Sequence, residues 1–80
     1  MERNDIVAKV NEVLSEEFEK DIELLTPEAN IKQTLELDSL SLVDMVALIE
    51  SEFGVKIANS ELAQIQTFNA LYDYLESHIA

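Results

Sequence analysis

Eighty residues, 48% of them apolar, with 17 acids against five Lys and Arg and a formal charge of -12, describe one small folded domain over residues 1–80. An acidic disordered tail would be far poorer in Leu, Ile and Val. A charge of that sign argues against nucleic acid and against an anionic membrane surface, which would repel the chain, and leaves basic proteins as natural partners. Zero cysteines exclude disulfides, thiolate metal sites and a cysteine nucleophile.

The stretch from Met1 to Val10 carries charges and no continuous apolar run, so it reads as neither a signal nor a transit peptide. No later stretch is long and apolar enough to span a bilayer; the cytoplasm is the default compartment and a monomer the default state. One Gly and one Pro favour helices over the tight turns of a β-protein.

Ile6, Val7, Val10, Val13, Leu14 and Phe18 fall at helical spacing. They predict a first helix from Asn4 to Phe18 or Glu19, with Asn4 or Asp5 as cap. From Lys20 to Leu37 the periodicity weakens, and Ile22, Leu24, Leu25, Ile31, Leu35 and Leu37 are the expected anchors of a long connection. Thr26 before Pro27 and Glu28 predicts a short helical turn, cap then proline at the first position.

A second helix is expected from Ser39 to Phe53, capped by Asp38 and closed by Gly54 in the left-handed conformation. Its inner face is Leu42, Met45, Val46, Ile49 and Phe53, and its outer stripe is Leu40, Asp44, Ala47 and Ser51. Leu40 is thus a large apolar residue facing outward beside a serine, a candidate partner contact. A short element follows over residues 60–63, with Asn59 or Ser60 as cap. Thr67 then caps a last helix whose Phe68, Leu71, Tyr72, Leu75 and Ile79 share one face. The expected fold is an all-α, small four-helix bundle, three long helices and one short, with the long connection between the first two.

For chemistry, the lone His78 lies far along the chain from Ser39, in the last turn of the last helix, and no Gly-x-Ser-x-Gly elbow supports a hydrolase triad. The acids are scattered and form no EF-hand loop, so no metal site is expected. Ser39 remains, at the first position of a helix whose dipole suits a covalently attached phosphate. From Asp38-Ser39-Leu40 alone, a polar residue behind a cap is the plainer reading.

Asp38-Ser39-Leu40, with Leu35 before it and Val43, Asp44, Met45 and Val46 after it, then Ile49 through Ile57, resembles the acyl carrier protein family over nearly the whole chain. The resemblance implies that Ser39 accepts 4′-phosphopantetheine from coenzyme A, catalysed by a separate Mg-dependent phosphopantetheinyl transferase, and that Asp38 belongs to the motif. The arm would carry acyl groups as thioesters, and the protein would have no catalytic activity of its own. It implies an acyl chain slipping between helices, here beside residues such as Val43, Val46 and Leu62. It also implies acidic contacts at Asp44, Glu50 and Glu52 on the second helix, which with Leu40 and Ala47 of the outer stripe make the expected partner surface for acyl-transfer and chain-elongating or modifying enzymes with basic surfaces.

Ser41, Ser51, Leu42, Ala47, Leu37 and Glu36 depart from the residues common in fatty-acid carriers. Primary fatty acid synthesis and a specialised lipid, polyketide or aminoacyl pathway therefore both stay open. The alternative of another class is a noncovalent acidic helical adaptor for basic proteins.

Overall fold

The computed structural model describes residues 2–79, the side chain of Asn59 apart. In chain order the elements are α1 (Arg3–Glu17), a 3₁₀ turn (Ile22–Leu24), α2 (Ile31–Leu35), α3 (Ser39–Phe53), α4 (Asn59–Leu62) and α5 (Phe68–His78). Among the described residues there is no strand, only an isolated antiparallel bridge between Asn30 and Thr67. The three long helices and short α4 make the expected all-α bundle, and α2 is an addition inside the long connection.

α1 buries Ile6, Val10 and Leu14, one line at i, i+4 and i+8. It begins one residue before Asn4, with Glu2 at the cap and no side-chain hydrogen bond there, so neither Asn4 nor Asp5 caps it. Tertiary contact explains the extra residue. The Arg3 guanidinium donates to Asp73 at 2.6 Å, Glu76 at 3.2 Å and Asn69 at 2.6 Å, tying the first turn of α1 to α5. At its other end α1 stops at Glu17, short of the expected Phe18 or Glu19. Glu19 turns left-handed (φ 54°), and the Lys20 N–H then donates back to the Ser15 carbonyl at 3.0 Å. A glutamate where glycine is usual leaves no stop signal to read.

The connection is ordered, though not as the sequence suggested. Thr26, Pro27 and Glu28 form a turn closed by Ala29 N–H on the Thr26 carbonyl at 3.0 Å, and helix begins only at Ile31. Asn30 caps it, accepting from Gln33 N–H at 3.0 Å. Glu36 in the left-handed region (φ 55°) ends it. Leu25, Ile31 and Leu35 are buried anchors, whereas Ile22 and Leu24 are half exposed at 50% and 53% and anchor nothing. A 3₁₀ turn is too short to bury more than one side, and Leu25, just past it, takes the inward place. Ile31 N–H donates to the Gln66 carbonyl at 2.9 Å and Asn69 N–H to the Pro27 carbonyl at 2.9 Å, docking the connection on the α4–α5 junction.

α3 runs from Ser39 to Phe53 as expected, burying Met45 and Ile49, with Leu42, Val46 and Phe53 packed half-buried against the core. Gly54 closes it at φ 67°, a conformation that costs a residue with a Cβ about 1–2 kcal/mol. α4 starts at Asn59, so Ser60 lies inside it; the alternative cap, the Asn59 side chain, is outside the described residues. In α5, Thr67 caps as expected, accepting from Ala70 N–H at 3.2 Å. Phe68, Leu71, Tyr72 and Leu75 are buried against α1 and the rest of the core.

Candidate functional site

At the start of α3, Asp38 sits in extended backbone (φ -93°, ψ -172°) and its carboxylate accepts from Ser41 N–H at 2.8 Å. The Ser41 backbone N–H, and after it the Ser41 hydroxyl, hold the Asp38 carboxyl below the usual carboxylate range. The cap therefore stays ionised and committed to the helix. Ser39 follows as the first residue of α3, and it is exposed. No acid occupies the first turn after it, and the neighbouring Asp38 carboxylate is engaged by Ser41 N–H, so the remaining first-turn N–H groups and the helix dipole favour an anion. A phosphodiester on the Ser39 hydroxyl fits this end of α3.

Beside Ser39 the helix presents apolar surface. Leu40 is 78% exposed and Val43 61%, the most exposed large apolar side chains described. Asp44 and Ala47 are exposed on the Leu40 stripe, as expected. The sequence reading had placed Val43 inward, against an acyl chain. Its spacing sets it between the inner and outer stripes of α3, one turn beyond both Ser39 and Leu40, and the fold leaves it on the solvent side.

The other two acids of the expected partner surface have partners of their own. Glu50 is half-buried, and its carboxylate accepts from Ile57 N–H at 2.9 Å, fastening the loop after α3. Glu52 lies 3.9 Å from the Lys9 ammonium, which also donates to the Glu52 carbonyl at 3.0 Å and sits 5.1 Å from the centre of the Phe53 ring. Leu40, Asp44 and Ala47 share one exposed stripe; Glu50 and Glu52 are not brought onto it as free acids.

His78 is engaged on its own helix, with Nδ1 2.8 Å from the Tyr74 carbonyl oxygen and its ring stacked on Tyr74 at 4.0 Å. Nothing joins it to Ser39 among the described residues. Among the same residues no three His, Asp or Glu gather to hold a metal ion.

One turn into α3, Leu42 borders a solvent-open cavity of about 350 Å³, lined by Asn30 and Lys32 at the start of α2 and by Leu62, Ala63, Ile65 and Gln66 around the end of α4. Leu62 lines it as the resemblance implied. Val46 and Val43 do not; Val46 packs against the core and Val43 faces solvent.

An exposed serine at a helix N-terminus, with an apolar stripe on one side and a cavity one turn away, is an arrangement that can accept a covalent phosphate-linked group. The comparisons name the class of protein. The family described as "Phosphopantetheine attachment site" matches residues 8–75. The acyl carrier protein of Thermotoga maritima is 39% identical over 77 residues, covering 96% of this chain and 95% of that protein. That of Rubrobacter xylanophilus is 35% identical over 78 residues, covering 98% and 96%. A solved structure of the Enterococcus faecalis acyl carrier protein superposes with a TM-score of 0.81 at 33% identity, covering 98% of this chain and 99% of that one. The chain belongs to the phosphopantetheine-attachment family and, within it, to the acyl carrier proteins. Its cofactor is 4′-phosphopantetheine, which when bound supplies a thiol that holds acyl groups as thioesters.

Among the described residues no helix is long and apolar enough to cross a membrane.

Proposed function

We propose that Ser39 is the attachment point and that residues 1–80 act as one monomeric carrier domain, a cytoplasmic shuttle without catalytic activity of its own. The observation that carries this is Ser39 itself: exposed, first in α3, behind an Asp38 whose charge is already committed to Ser41. The serine needs no base of its own, since a phosphopantetheinyl transferase supplies activation while Ser39 supplies the oxygen. Leu40, Asp44 and Ala47 form the surface read by the transferase and by acyl-transfer, elongating or modifying enzymes, with Val43 added to it. Glu50, held by Ile57 N–H, and Glu52, paired with Lys9, support that surface from beside it. The cavity bordered by Leu42 and Leu62 is the seat of the acyl group, in primary fatty acid synthesis or a specialised lipid or polyketide pathway.

Incubated with coenzyme A, Mg²⁺ and a transferase, the protein is expected to gain one phosphopantetheine by intact mass. Ser39→Ala is expected to abolish the gain while leaving the unfolding midpoint unchanged. A full gain in Ser39→Ala would move the attachment elsewhere. No gain in the unaltered protein would favour the noncovalent adaptor.

A further inference from the structure

Five basic residues serve a chain of charge -12, and three of them are spent on internal pairs. Arg3 is paired with Asp73 and Glu76, Lys9 with Glu52, and Lys20 with Glu36. Lys32 has no ion pair among the described residues, and the reason is local. Its natural helical partner one turn on, Glu36, has left the helix for the left-handed region and is held by Lys20. Lys32 lines the cavity, and no residue lining that cavity is acidic. The other polar groups there add donors. Asn30 has committed its side-chain oxygen to Gln33 N–H, which leaves its NH₂ free to donate, and the Gln66 side chain brings a second amide.

Resting on the carrier reading above, we infer that Lys32 makes this cavity select acyl groups that end in a carboxylate, the half-thioesters of dicarboxylic acids, over neutral alkyl groups of the same length. The stem of the cargo lies against Leu42 and Ile65, and its terminal carboxylate pairs with the Lys32 ammonium, with Asn30 and Gln66 as further donors. An alkyl terminus offers these donors nothing. An ammonium terminus, as on an amino-acid cargo presenting its amine, meets like charge.

The test uses three six-carbon cargoes that differ only in terminal charge: adipoyl, hexanoyl and 6-aminohexanoyl. Each is joined to pantetheine through an amide in place of the thioester and loaded as a coenzyme A analogue. Intact mass first reports loading at Ser39, and failure there overturns the carrier reading and this inference with it. Amide chemical shifts of Lys32, Leu42 and Ile65 are then compared with those of the protein bearing the unacylated arm. The expected order of seating is adipoyl, hexanoyl, 6-aminohexanoyl, with adipoyl favoured by about two- to fivefold, the range of a solvent-exposed ion pair. That advantage should shrink as salt is raised. Lys32→Glu, at an exposed position, should invert the order. Equal or larger shifts with hexanoyl, an order unchanged in Lys32→Glu, or no shift with any cargo would each overturn the selection by Lys32.

Discussion

Along the seam between α1 and α5, Ile6, Val10, Leu14, Phe68, Leu71, Tyr72 and Leu75 are all 1% exposed or less. The tie of Arg3 to α5 and a Tyr72 hydroxyl donating to Asn11 close its edges. By contrast, α2 and α4 are five and four residues long, too short to be stable on their own. Backbone hydrogen bonds join the connection to the α4–α5 junction, and Lys32 of α2 and Leu62 of α4 line the open cavity between them. The seam carries the denser burial, whereas α2 sinks only Ile31 and Leu35 and α4 none of its described side chains, which makes the face beside Ser39 the more yielding of the two. Each side chain sunk in the seam contributes about 1.5–3 kcal/mol, while of the side chains lining the cavity only Ile65 is buried.

The comparison breaks first at the core. Leu71→Ala should cost about 2–5 kcal/mol in urea unfolding, and Leu62→Ala on the cavity wall under half as much. Equal costs would erase the distinction. Thr67→Ala removes the cap where the two regions meet and should cost about 1 kcal/mol, read by the same titration.

Asp38 gives a smaller, pH-dependent effect on the yielding side. Its carboxyl is depressed in the folded protein by the Ser41 N–H, so the stability it adds is present above the ordinary carboxylate range and is lost as pH falls through the folded value. Asp38→Asn should therefore flatten part of the acid limb of the stability curve, leaving the slope above neutral pH unchanged. The smallest effect is kinetic. Asp44→Lys should slow transferase loading a few-fold at low salt and little at high salt. Glu52→Gln, whose carboxylate already faces Lys9, should change it less; equal slowing would return Glu52 to the docking surface.

Much of the site was legible because its causes are local. Asp38 reaches Ser41 three residues on, and Gly54 supplies its own left-handed turn. The inner and outer stripes of α3 follow from helical periodicity alone. Val43 was misread because it lies at the boundary of those stripes, where periodicity does not decide and the neighbouring elements do. α2 escaped notice for a similar reason, since five residues show little periodicity and Glu36 is an uncommon closing residue.

By itself, then, the chain's sequence determined that there are three long helices, where α3 begins and ends, and that Ser39 stands at its head. These are matters of spacing and of hydrogen bonds between residues three or four apart. Only the tertiary structure decided where α1 starts and stops and which anchors of the connection are buried. It also decided that Glu50 answers to Ile57, that Glu52 answers to Lys9, and that Lys32 is left facing the cavity. Those outcomes depend on side chains from different elements competing for the same few partners, a contest that no local pattern records.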